Sequence, residues 1–144
     1  MTITTIKKNI SEEAMVDAFL QSGHFKTAKL YKEIPVFSRC VDLVVLNGKN
    51  QLTAIEFKKE KWKDAIDQLL RVSTSFDFLE MCILEPSHEE LKKEIICQCE
   101  QFGFGVYFMN PMTMKVRKVL SPQKSDAIWR TQKREVRKYL EGRS

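Results

Sequence analysis

Histidine is almost missing from this chain: His24 and His88 are the only two among 144 residues, and they stand alone. Neither supports a histidine-ligated metal centre or a nucleophile–histidine pair. The four cysteines have no metal-binding rhythm. Cys40 and Cys82 fall within apolar strand-like runs, where a reduced thiol behaves as a small hydrophobe. Cys97 and Cys99 form a Cys-x-Cys in a helical segment, where positions two apart point to different sides. A zinc site needs two close ligand pairs, so all four are expected to be structural thiols. Long hydrophobic runs are also lacking, none approaching the roughly 20 residues that cross a bilayer. Residues 1–8 lack the ordered charge, apolar core and cleavage site of a signal peptide. A cytoplasmic protein with no membrane partner is expected. No repeat, low-complexity stretch or linker divides the chain. With 43% hydrophobic and 30% charged residues, a single globular domain over residues 1–144 is expected.

The net charge of +5 is unevenly spread. Residues 115–144 hold ten Lys/Arg against three Asp/Glu, while the remaining residues hold fourteen against sixteen. The basic character therefore belongs to the C-terminal segment. Arg130, Lys133, Arg134, Arg137 and Lys138 are its nucleic-acid candidates, since a cationic helix suits a phosphate backbone. A solvated helix with ordinary surface lysines gives the same pattern.

Periodicity sets out the elements. Ser11 reads as an N-cap before acidic Glu12 and Glu13, opening a helix with Met15, Ala18 and Phe19 on its apolar stripe and Gly23 as its stop. Residues 29–37 predict a strand carrying Leu30, Ile34 and Val36. Residues 62–73 predict an amphipathic helix with Ala65, Ile66, Leu69 and Leu70 inward. A strand over 78–84 precedes a helix that Ser87 caps, running to about residue 100. Residues 103–109 return to strand, with a short partner over 114–120, and a basic helix over 124–140 closes the chain. Trp62 and Trp129 are both expected to pack against the sheet, with base stacking the alternative.

Between the first strand and the second helix lies the most informative segment. Ser38–Leu46 and Gln51–Lys58 are rich in aliphatic and β-branched residues and flank the polar turn signal Asn47-Gly48-Lys49-Asn50, which predicts a β-hairpin. Within them, residues 41–46 and 52–57 are apolar on both faces apart from Asp42 and Glu56, as suits central strands covered by helices. The fold class is therefore α/β, a mixed central sheet flanked by helices. Two carboxylates and Lys58 at one edge of a hydrophobic hairpin cost desolvation energy, which a divalent cation and a phosphate would offset. In a strand Glu56 and Lys58 share a face while Phe57 points away. Asp42 reaches that face only if the hairpin loop has odd length or a bulge corrects the register. A three-residue loop sets Asp42 opposite Glu56.

Asp42, Glu56 and Lys58, in the order helix–strand–strand–strand–helix–strand, resemble the PD-(D/E)XK nuclease superfamily over roughly residues 11–108. Val41 stands where the family name has proline. The resemblance implies a restriction-endonuclease-like core, with residues 112–144 as a C-terminal extension, and Mg²⁺-dependent (or Mn²⁺-dependent) phosphodiester hydrolysis in DNA. It implies that Asp42 and Glu56 hold the metal, that the backbone carbonyl of Phe57 faces it, and that Lys58 assists the attacking water. It further implies a place near the site for Gln68, and an additional acid for which Glu12 is the first choice, Glu13 the second and Glu33 the third. Lys59, Lys61 and Lys63 flank the motif, and Lys59 and Lys61 join the candidate contacts to DNA. A homodimer is compatible, since two-strand cutting by this fold commonly uses one. The alternative is a catalytically silent nucleic-acid-binding or assembly module of the same fold.

Overall fold

A computed structural model describes residues 9–143, so residues 1–8, where the leader was sought, lie outside it. Helix α1 (Glu12–Gln21) is followed by strands β1 (Lys29–Val36), β2 (Arg39–Leu46) and β3 (Leu52–Lys58). Then come α2 (Trp62–Val72), β4 (Phe78–Leu84), α3 (Glu89–Phe102), β5 (Gly105–Met109), β6 (Val116–Leu120) and α4 (Arg130–Glu141). The six strands form one mixed sheet in chain order, so each strand pairs with its sequence neighbour. β3, β4 and β5 are parallel, and the other pairings are antiparallel. The expected order of one helix, three strands, a helix and a strand is the order found, and the α/β class holds.

Each face of the sheet is covered for a reason visible in the strands. Leu52 and Ala54 of β3, with Met81 and Ile83 of β4, share a core with Ala65 and Leu69 of α2, Ile95 and Cys99 of α3, and Val136 and Leu140 of α4. Ile55 and Phe57, which alternate with them, pack with Met15, Val16 and Phe19 of α1 on the other face. The two parallel crossovers step the same way across the sheet. Sharing a hand, they put α2 and α3 on one side. No described helix is long and apolar enough to cross a membrane.

Helix α4 runs across the strands at the end where β3 and β4 begin. Trp129 N–H donates to Thr74 O at 2.7 Å, Lys133 Nζ meets Asp77 Oδ2 at 2.8 Å, and Arg137 lies by the β2–β3 turn. Asp77 is 2% exposed, and the same Oδ2 accepts the Leu52 N–H at 2.8 Å. One buried carboxylate thus joins α4 to the first residue of β3.

Several details differ from the sequence reading. The closing helix starts at Arg130 rather than near 124, because the preceding residues cross the ends of β4 and β5 as extended chain, with Ser125 N–H donating to Asp77 O. His88, not Ser87, is the N-cap of α3, and its side chain makes no capping bond. Gly103 belongs to the stop of α3, in the left-handed conformation, so β5 begins later. Leu70 and Trp129 are exposed, the first because it sits off the inward stripe of α2 and the second because it precedes α4 at its outer end. Cys40 is exposed near the tip of the β1–β2 hairpin and is no core residue.

Replacing Asp77 by Ala is expected to destabilise the fold by about 3 kcal/mol, since it strands a half-buried ammonium and a buried N–H together. Asp77→Asn, which keeps an acceptor for Leu52, is expected to cost less. Urea midpoints of the two variants check the difference.

Candidate active site

The β2–β3 turn decides where Asp42 goes. Asn47 N–H donates to Gln51 O at 3.1 Å, enclosing Gly48, Lys49 and Asn50 as a three-residue loop. Asn47 Oδ1 accepts from the backbone N–H groups of Lys49 and Gln51, both at 2.9 Å, and Asn50 takes the left-handed conformation with φ of 66°. That is the turn-plus-left-handed-residue solution for a three-residue hairpin. The pairs Leu46↔Leu52 through Leu43↔Ile55 follow from it, and the next step in that register is Asp42 against Glu56. The odd loop demanded by the sequence is present.

Backbone pairing between β2 and β3 stops there. Asp42 also lacks a partner in the β1 ladder, where the pairing passes from Lys32↔Leu43 to Ile34↔Val41 and skips Glu33. Glu33 has a φ of 53°, a conformation costing a non-glycine residue about 1–3 kcal/mol. Asp42 therefore stands unpaired on both sides, with Glu33 and Glu56 across from it on the adjacent strands. Side chains take over from the ladder. Phe57 N–H donates to Asp42 Oδ2 at 2.8 Å, and Asp42 N–H in turn donates to the Glu56 carboxyl.

Glu56 is 2% exposed. Burial, and then the Asp42 carboxylate beside it, push its carboxyl up to about 9, against which Lys58 pulls. Both effects favour the protonated form of Glu56, whose carboxyl lies beside that of Asp42. Lys58 is half-buried, two residues along on the same strand face. The Cys40 thiol is raised by burial and by the charges of Glu33, Asp42 and Glu56, so it borders the same acids.

A pocket of about 200 Å³ opens beside Asp42, lined by Glu12, Glu13, Val16, Lys32 and Glu33. All three candidates for a further acid thus line one space with Asp42. Among the described residues no three carboxylate, thiol or imidazole groups converge as a ready metal cage. Gln68 is half-buried on α2 and its side chain makes no hydrogen bond among the described residues, so none ties it to either acid. Lys59 is half-buried and lines a separate pocket of about 340 Å³ with Trp62, Ile83 and His88, while Lys61 is exposed at the start of α2. Arg130, Lys133, Arg134 and Arg137 are collected into one groove, at the opposite end of β3 from the acids. The sequence reading ranked Glu33 low and missed Cys40. The β1–β2 register carried both, but no glycine or asparagine marks that turn, which Phe37 makes with φ of 56°.

The fold has solved counterparts. The chain is similar to a protein of unknown function from Silicibacter pomeroyi, with a TM-score of 0.69 at 10% identity, covering 94% of this chain and 87% of that one. It also matches a repair endonuclease from Pyrococcus abyssi, with a TM-score of 0.49 at 18% identity over 72% of this chain, and spans 48% of that protein's length. No protein-family model matches the chain, and no curated protein does. The first likeness shows the fold.

The proton on Glu56 gives stability a defined pH dependence. Its carboxyl stands above the ordinary value of 4.5 in the folded state, so the folded protein binds a proton that the unfolded chain releases. The contribution is complete below about pH 4.5 and declines as pH rises towards about 9. Glu56→Gln, neutral throughout, is expected to match the parent near pH 4 and to exceed its stability at pH 8. Urea unfolding at the two pH values reads this directly.

Proposed function

We propose that this chain is a metal-dependent phosphodiester hydrolase acting on DNA. The observation that carries the proposal is the meeting of Asp42 with the buried Glu56 at the one point where β2 leaves both neighbouring ladders, with Lys58 on the same face as Glu56. A buried glutamate set against a half-buried aspartate is a poor structural device, because a hydrophobic pair there would cost less. It would suit a hard divalent cation, for which the two carboxyl groups would supply oxygen ligands. Mg²⁺ needs only one or two carboxylates and keeps waters and substrate phosphate for the rest, so the two acids suffice and no full protein cage is required.

Asp42 and Glu56 would hold the ion, with the Phe57 carbonyl as a further candidate and Glu33 as the best-placed third acid, being across from Asp42 on β1. Glu12 and Glu13 border the same pocket from α1. Bound there, a divalent cation neutralises charge on the phosphate and lowers the pKa of its water. Lys58 contributes an ammonium on the same face, able to hold the attacking water and to donate to the phosphate oxygens as negative charge grows. Asp42 is held by the Phe57 N–H at one oxygen, which fixes its direction before any ligand arrives. Gln68 is left out of this scheme.

One observation favours the second reading, a silent DNA-binding module. The exchange of side chains for ladder bonds between Asp42 and Glu56 satisfies the local backbone without a ligand. The readings part over metal. The hydrolase is expected to cleave DNA with Mg²⁺ or Mn²⁺, and Lys58→Ala and Glu56→Ala are each expected to lose about 100-fold or more. No metal-dependent cleavage across duplex, single-strand and branched substrates, together with no Mg²⁺ binding by calorimetry, would favour the silent module.

A further inference from the structure

The cationic residues of α4 form a built groove. Arg130, Lys133, Arg134, Arg137 and Lys138 fall at helical spacing on one side of α4, opposite the buried Val136 and Leu140. With Asn50 from the β2–β3 turn and a single acid, Glu141, they line a groove of about 460 Å³. Lys133 is taken up by Asp77, and Arg137 meets Glu141 at 3.5 Å. Arg130 and Arg134 are exposed and make no ion pair among the described residues. The Nε of Arg137 is buried with no acceptor, so its guanidinium is under-satisfied. Three planar guanidinium groups against one carboxylate suit phosphate oxygens, which they engage in pairs.

Position adds what charge alone does not. Glu56 and Lys58 alternate with Ile55 and Phe57 and so project to the sheet face on which α4 packs, while the pocket beside Asp42 is bordered by α1 from the other face. From Leu52, beside Lys133, to Glu56 is about 13 Å of strand, and from Asn50 about 20 Å, at roughly 3.3 Å per residue. A partner that touches both ends has to be stiff over that span, as duplex DNA is. At about 3.4 Å per base pair, the span equals roughly four to six base pairs.

We propose that the α4 groove holds the backbone of duplex DNA four to six base pairs from the phosphate that lies at Asp42 and Glu56. The groove and its ligand class stand on α4 alone, while the spacing rests on the proposed hydrolase reading. The test uses the whole chain, labelled DNA duplexes, and EDTA, so that binding is measured without turnover. The double variant Arg130→Ala/Arg134→Ala changes two exposed side chains and is expected to fold. Its plot of log affinity against log salt is expected to be shallower than the parent's by about 2, roughly 1 for each lost phosphate contact. An unchanged slope would overturn the groove, as would equal binding to polyglutamate, which would assign it to acidic protein.

The spacing is then read by metal-supported cleavage of duplexes in which one arm beyond the cut is shortened stepwise. The parent is expected to lose about tenfold in KM when that arm falls below four base pairs, and the double variant is expected to show no such step. A parent indifferent to arm length would overturn the spacing. A shallower slope in the variant together with absent cleavage would remove the hydrolase reading and leave the groove standing.

Discussion

Asp42 and Glu56 meet where β2 and β3 part, and much of the molecule is arranged around that contact. Glu56 is buried beside the half-buried Asp42, and burial and that neighbouring carboxylate both push its carboxyl above the ordinary glutamate range. The ladder ends at Leu43↔Ile55, and the side chains then replace it, Asp42 taking the Phe57 N–H and Glu56 taking the Asp42 N–H. On the other side, the left-handed backbone at Glu33 interrupts the β1 ladder at the same level. Three acids on three neighbouring strands therefore stand in a row at a break in the sheet. A sheet designed only for stability would carry β-branched residues there.

The two ends of β3 have opposite electrostatics. At its start, the buried Asp77 carboxylate is matched by Lys133 and by a backbone N–H, so the charge is compensated by the protein itself. At its finish, Glu56 has another acid as its nearest partner and only Lys58 in opposition, so the compensation comes from a proton. A paired buried charge favours a fixed structure. A like-charged pair favours whatever cation can replace the proton. The same strand thus anchors α4 at one end and leaves an unmet demand for positive charge at the other.

Much of this was legible in the sequence. The order of elements followed from hydrophobic period, and the face of Glu56 and Lys58 from strand alternation. The register followed from counting: with Asp42 fourteen residues before Glu56, an odd loop or a bulge puts them face to face, and the structure closes a three-residue loop between Asn47 and Gln51. What the sequence hid is physical in origin. Phe37 occupies a positive-φ turn position usually given to glycine or asparagine, so the β1–β2 register was invisible, and with it the alignment of Glu33 with Asp42. Helix α4 starts late because residues before it bond to Gly103 and Asp77 instead of to one another, a tertiary effect that helix propensity does not contain. The role of Asp77 was equally hidden, since a lone aspartate before a strand gives no sign of a lysine 56 residues on. Gln68 shows the reverse case, a residue placed by resemblance that no observed contact ties to the acids.

The arrangement at Asp42 also bears on how the site is prepared. A carboxylate has two oxygens, and here Oδ2 is committed to the Phe57 N–H at 2.8 Å. Its orientation is therefore fixed by the backbone of the very strand that carries Glu56 and Lys58, so the three groups move together or not at all. The cost of holding the two acids together is met during folding, and it is largest at the neutral and alkaline pH where the unfolded chain would release the proton.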